Sequence, residues 1–196
     1  RTWYPVLDMA MTEFRVRDVG GVDTPLIGLP GRIGTFPDQG SHPGPLGYYL
    51  LAPVYRLFGS SAIGLLVAAV VMAAVSAVAC VLVIRRMGGI RLQWAVVVVL
   101  LVVVQTYGFD LVGQPWNPHL PLLPWLTTLI AVWAVVVGDN GVLWVATLAG
   151  TLCAQTHLPY VGLAGSIVVG ATRGVAWRWW HGERGSEDRA RTGRSL

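Results

Sequence analysis

The chain has 196 residues, 54% of them apolar and only 12% charged, with a formal net charge of +4. An ordinary soluble domain carries about 25% charge, so that class is excluded. No basic stripe interleaves with aromatics, so nucleic-acid binding is excluded too.

The chain opens on arginine and has no basic start followed by a short apolar run and a small-residue cleavage site. We read it as part of a longer protein, with a preceding span outside it. Residues 1–59 predict a polar loop with short juxtamembrane helices. From Asp8 to Val19 there is no Pro or Gly, so a helix is expected, ended by Gly20 and Gly21. Residues 22–45 hold five prolines and five glycines and predict turns. Residues 46–58 are apolar but too few to span a bilayer, which takes about 20 residues. They predict an interfacial helix bent near Pro53, with Tyr48, Tyr49, Tyr55 and Phe58 suited to the headgroup level.

Five spans are predicted next: 60–84, 92–109, 121–138, 141–157 and 158–172. A Gly-Gly turn with Arg85, Arg86 and Arg91 separates the first two. The prolines of 110–120 and the Asp139-Asn140-Gly141 turn bound the third, and His157-Leu158-Pro159-Tyr160 separates the last two. Residues 173–196 hold six arginines and predict a solvated cytoplasmic tail or loop. The expected fold class is all-α: a polytopic membrane helix bundle with an exoplasmic loop of short juxtamembrane helices.

Topology follows from arginine counts. The 85–91 loop has three and the 173–196 tail six, while 110–120 and 155–160 have none. The positive-inside rule makes the first pair cytoplasmic and the second exoplasmic. Alternation then puts residues 1–59 on the exoplasmic face of a multi-pass plasma-membrane protein. Asp8, His42, Asn117, His119 and His157 therefore fall on one side, where they can line one cavity.

The residues taken alone leave bland readings open. Asp8 suits a helix cap or a solvated loop. Glu13 and Arg17, at i and i+4, suit a surface ion pair worth about 0.3–0.5 kcal/mol. Asp18, at the unfavourable end of the helix dipole, wants a partner such as Arg32. Asp23 and Asp38 suit turns. Asn117 suits a helix cap, and otherwise joins Gln105 as a hydrogen-bonding group for sugar hydroxyls. His42 is biased to an extended backbone by Pro43. His119 follows Pro118 and His157 lies two positions before Pro159, each near a helix end where an unpaired polar group is costly, which points to a cavity. Cys80 and Cys153 lie in apolar runs and suit packing. No histidines have metal-ligand spacing, so no metal ligand is assigned; a carboxylate-held divalent metal is the one cofactor left open.

Asp8 with Glu13, Arg15, Arg17 and Asp18, then Thr24-Pro25-Leu26-Ile27-Gly28, then HPGPLGYYLLAPVYRLFG at 42–59, resembles the first exoplasmic loop of the GT-C glycosyltransferases. Those are polytopic enzymes using polyprenyl-phosphate sugars, among them protein O-mannosyltransferases, aminoarabinose transferases and actinobacterial relatives. The similarity covers about residues 8–160. It departs from the family where Met9 follows Asp8 and where Ser60-Ser61 follows the Phe-Gly pair.

The resemblance implies transfer of a sugar from a polyprenyl-phosphate carrier to a cell-wall glycan, lipid or protein acceptor. Asp8 is then the catalytic carboxylate that takes the acceptor hydroxyl's proton. Arg15, Arg17 and His42 would hold the departing phosphate, and Glu13, Asn117, His119 and His157 would contact substrate. The rival expectation is a non-enzymatic membrane protein, a transporter or an assembly subunit.

Overall fold

A computed structural model describes residues 3–31, 33–35 and 38–192, with side chains at those positions apart from 109 and 181–192. The chain is 72% helix, with no strand among the described residues. An isolated antiparallel bridge pairs Pro30 with Ser41. The all-α expectation holds.

Helix α1 runs Asp8–Asp18, with Asp8 in its first turn and Arg15 and Arg17 in its last. Each charge complements the helix dipole at its own end. Gly20 stops it at φ 77°, a left-handed conformation that suits glycine. Helix α2 runs Leu46–Leu57 and contains Pro53. Helix α3 runs Ala62–Tyr107, started by Ser61, whose hydroxyl accepts from the Gly64 amide at 3.1 Å. Short helix α4 covers Phe109–Val112. Helix α5 spans Leu122–Val136, a 3-10 turn covers Asn140–Val142, α6 spans Leu143–Thr156, and α7 spans Pro159–Thr192.

Three boundaries differ from expectation. The first two predicted spans are one α3, broken only at Gly89, whose φ of 65° and ψ of −159° lie outside the helix region. Arg85 and Arg86 are therefore inside the first arm rather than in a loop. The second arm runs back, because Leu120, beyond its end, packs against the apolar cluster that holds Leu65 and Ala68 near the start of the first. The predicted tail is not a loop either: α7 continues to Thr192. No proline interrupts 160–192, and Trp, Arg and Ala there tolerate a helix. Residues 193–196 lie outside the description. Helices α5 and α6 have 15 and 14 residues, each three fewer than expected.

Among the described residues, Ala62–Tyr107 is the helix long and apolar enough to cross a membrane. Two apolar clusters hold the elements together. One joins Val16 of α1, Leu29, Tyr48, Leu51 and Tyr55 of α2, Leu65 and Ala68 of α3, and Leu152 of α6. The other joins Cys80, Ile84 and Leu100 of α3 with Leu123, Ile130 and Val135 of α5 and Ala171 of α7. The Thr127 hydroxyl lies 3.0 Å from the Ser76 carbonyl and 2.9 Å from that of Leu123, which ties α5 to α3 without stranding a polar group.

Candidate functional site

The 28–46 segment is held by backbone pairing rather than by regular structure. The Gly28 amide donates to the His42 carbonyl and the His42 amide to the Leu29 carbonyl, each at 2.9 Å. A Cβ on Gly28 would stand 2.5 Å from His42 Cβ, so the two segments approach this closely only because residue 28 has no side chain. The following turn is latched to the end of α6. The Gly44 amide donates to the Gln155 carbonyl at 3.3 Å, and the Leu46 amide to Gln155 Oε1 at 3.1 Å. Tyr49 Oη donates to the Pro25 carbonyl at 2.6 Å, closing the loop.

This latch brings His42 onto His157, 115 positions later in the chain by subtraction of their numbers. Their ring centroids lie 5.6 Å apart with planes 30° from parallel. His157 is in turn 6.2 Å from the Tyr160 ring. Both Nδ1 atoms are buried without a hydrogen-bond partner. Burial lowers the His42 pKa, partly opposed by the negative charge of Asp8. Burial also lowers that of His157, which lies in the α6–α7 connection, and His42 adds to the effect. Both rings are therefore neutral at pH 7.

Asp8 occupies a second, neighbouring position. Its Oδ2 accepts from Trp116 Nε1 at 3.1 Å. With Gln114, Val6, Leu7 and Met9, the pair lines an open cavity of about 330 Å³. His119 meets Trp116 edge-on at 4.7 Å, and its Nδ1 lies 3.1 Å from Gln114 Oε1. That amide oxygen only accepts, so Nδ1 carries the hydrogen. Burial lowers the His119 pKa as well. Leu7, at the rim, is 84% exposed yet holds φ 50° and ψ −125°. Such a backbone costs on the order of 1–3 kcal/mol and clusters at functional sites.

Glu13 and Arg17 are elsewhere. Arg17 Nη2 reaches Glu13 Oε1 at 3.2 Å and Tyr55 Oη at 3.3 Å. Tyr55 is fully buried, and its hydroxyl stands 2.9 Å from both Glu13 Oε1 and the Ser60 carbonyl. The knot ties α1 to α2, and neither Glu13 nor Arg17 lines the Asp8 cavity. Arg15 does not line it either; its charge acts on the buried Tyr48 hydroxyl. Asn117 borders a separate void of about 20 Å³ with Thr12, Gln155 and Thr156, room for about one water. Gln105, near the end of α3, is exposed. Asp23 and Asp38 are exposed in turns, and Arg32, the expected partner of Asp18, lies outside the described residues.

The structure thus gathers Asp8, His42, His119, His157 and Asn117 at one end of the helices, and sets Glu13 and Arg17 aside. Sequence reasoning missed Trp116, Gln114 and Gln155. The signal for Trp116 was its place in the Pro-Trp-Asn-Pro break, away from a span end. Among the described residues no group of three or more His, Cys, Asp or Glu is arranged to hold a metal ion. No family model, curated protein or solved structure matches the chain.

Proposed function

We propose that the chain forms part of a membrane glycosyltransferase of the GT-C type, drawing sugar from a polyprenyl-phosphate carrier. The observation that carries this reading is Asp8, fixed by Trp116 at the wall of an open cavity of about 330 Å³. An indole, a carboxylate and the Gln114 amide beside apolar side chains suit a sugar, which offers both hydroxyls and C–H faces.

Chemistry follows from the carboxylate. An acceptor hydroxyl attacks the anomeric carbon, the bond to the lipid phosphate breaks, and the hydroxyl proton passes to Asp8. Trp116 occupies Oδ2, so Oδ1 is the oxygen that receives it. The leaving phosphate is already anionic and needs cationic donors more than an acid. Arg15 is the candidate, since Arg17 is engaged by Glu13 and Tyr55. Glu13 is likewise engaged, so contact with substrate rests on Asn117, His119, His157 and the cavity residues.

Membrane embedding is supported by the length and apolarity of Ala62–Tyr107, with α5, α6 and the start of α7 as shorter companions. In this reading the Asp8 end faces the exoplasm and the Gly89 end the cytoplasm of a multi-pass protein. One observation favours the rival reading, a non-enzymatic transporter or assembly subunit: among the described residues no cation lines the Asp8 cavity.

The deciding experiment is transfer of labelled sugar from polyprenyl-phosphate carriers by the full protein in proteoliposomes. Wild type is expected to transfer and a folded Asp8→Asn variant to lose transfer. Equal transfer by the two removes Asp8 from the mechanism.

A further inference from the structure

The end of the molecule opposite Asp8 is built by polar ties. Arg86 grips Asp139 with two hydrogen bonds, Nε to Oδ2 at 2.7 Å and Nη2 to Oδ1 at 2.9 Å. Arg178 Nη2 donates at 2.8 Å to the Val135 carbonyl and to Asn140 Oδ1. These contacts draw the Gly89 break of α3, the α5–α6 turn and α7 to one level.

Asp139 is neutralised by Arg86. Arg85, Arg91 and Arg173 are exposed around it, and among the described residues none of the three makes an ion pair. Asp8, Glu13, Asp18, Asp23, Asp38 and Asp110 belong to segments toward the other end, while α7 carries Glu183, Glu187 and Asp188 beyond Arg178. By sequence, residues 85–91, Asp139 and residues 173–192 hold eight arginines against four acids, so the Gly89 end has a net positive charge.

Tryptophans lie just inside it. Trp94 follows Gly89 by five positions, Trp144 follows Asn140 by four, and Trp133 precedes Asp139 by six. At about 1.5 Å per helical residue they stand roughly 6–9 Å inward of the turns. They are 60%, 67% and 48% exposed. Arg91 starts outward of Trp94, whereas Arg85, four positions before Gly89, starts level with the tryptophans on a stem long enough to carry its charge outward; guanidinium beside indole matches the boundary between lipid phosphates and acyl chains. Guanidinium pairs with phosphate in a forked geometry.

We propose that this end is a docking surface for anionic phospholipid headgroups, held by Arg85, Arg91 and Arg173 beside the exposed tryptophans. The proposal rests on the membrane half of the functional reading and not on the transferase half.

The test is competition in vesicles of mixed phosphatidylglycerol and phosphatidylcholine. The purified chain is reconstituted, and each labelled lipid retained at the protein boundary is measured. Phosphatidylglycerol is expected to be preferred, with the preference falling about fivefold for each arginine changed to glutamine. It should also fade in high salt, which shortens the reach of exposed charge. Equal retention of both lipids overturns the proposal, as does a preference that survives in the Arg85→Gln, Arg91→Gln, Arg173→Gln variant. A chain that enters neither vesicle overturns the membrane reading and this proposal together. Entry into both without preference overturns this proposal alone. The three positions are exposed, so a thermal melt of the variant equal to wild type is expected and separates lipid effects from misfolding.

Discussion

Trp116 gives its indole N–H to Asp8 at 3.1 Å, across 108 positions of sequence. The bond fixes one carboxylate oxygen of a residue that lines the cavity. Trp116→Phe keeps a ring there and removes the donor. A hydrogen bond to a charged group is worth about 1.5–3 kcal/mol, so transfer is expected to fall roughly 10- to 100-fold. Turnover at saturating donor checks it; a loss confined to KM would make Trp116 a binding wall rather than an orienting donor.

The stacked pair His42 and His157 predicts a pH dependence of stability. Both folded pKa values lie below the ordinary 6.5. As pH falls through 6.5 the unfolded chain takes up protons first, so stability drops with pH until the folded rings also protonate. Above neutrality this contribution is flat. Asp8 faces His42 and partly offsets the drop. His157→Phe keeps a ring against His42 and removes one titrating group, so its melting temperature should depend less steeply on pH below 6.5. Parallel melting curves for variant and wild type would separate the pair from the acid sensitivity.

Gly44→Ala should unlatch the 42–46 turn. A Cβ there runs into Gln155 Oε1 and stands 2.6 Å from Gln155 Cδ. Gln155 cannot swing away without giving up the Leu46 amide. Overpacking of this kind costs about 1–3 kcal/mol. Thermal unfolding in detergent measures it, and a melt at the wild-type temperature would show that Gln155 yields freely.

Tyr55→Phe tests the structural role of Glu13 and Arg17. Tyr55 is fully buried, and its hydroxyl serves Glu13, Arg17 and the Ser60 carbonyl. Burial raises its pKa, so the hydroxyl stays protonated near neutral pH. Loss of a buried hydroxyl that leaves its partners unsatisfied costs about 1–3 kcal/mol. Stability should fall while transfer per folded molecule is kept. The reverse, full stability with lost transfer, would return Glu13 and Arg17 to the substrate.

The helices were legible because each is a local matter. The apolar runs at 60–84 and 92–109, the Pro/Gly stretch at 22–45 and the dipole-matched Asp8, Arg15 and Arg17 depend on near neighbours. Boundaries were less so. Nothing local says that Arg85 and Arg86 stay helical up to Gly89, or that α7 runs on to Thr192. Arg86 gains a partner by staying in the helix, and that partner, Asp139, is 53 positions away.

The sequence by itself determined an all-helical chain, its turns, and a set of polar residues gathered at one end of the apolar runs, because periodicity and backbone chemistry act over a few residues. Only the tertiary structure decided which of those residues meet. Trp116 reaches Asp8, His157 reaches His42, and Tyr55 takes Glu13 and Arg17 out of the cavity. Those pairings depend on how the Gln155 latch and the Gly89 break fold distant segments together, and spacing along a chain carries no record of distance across it.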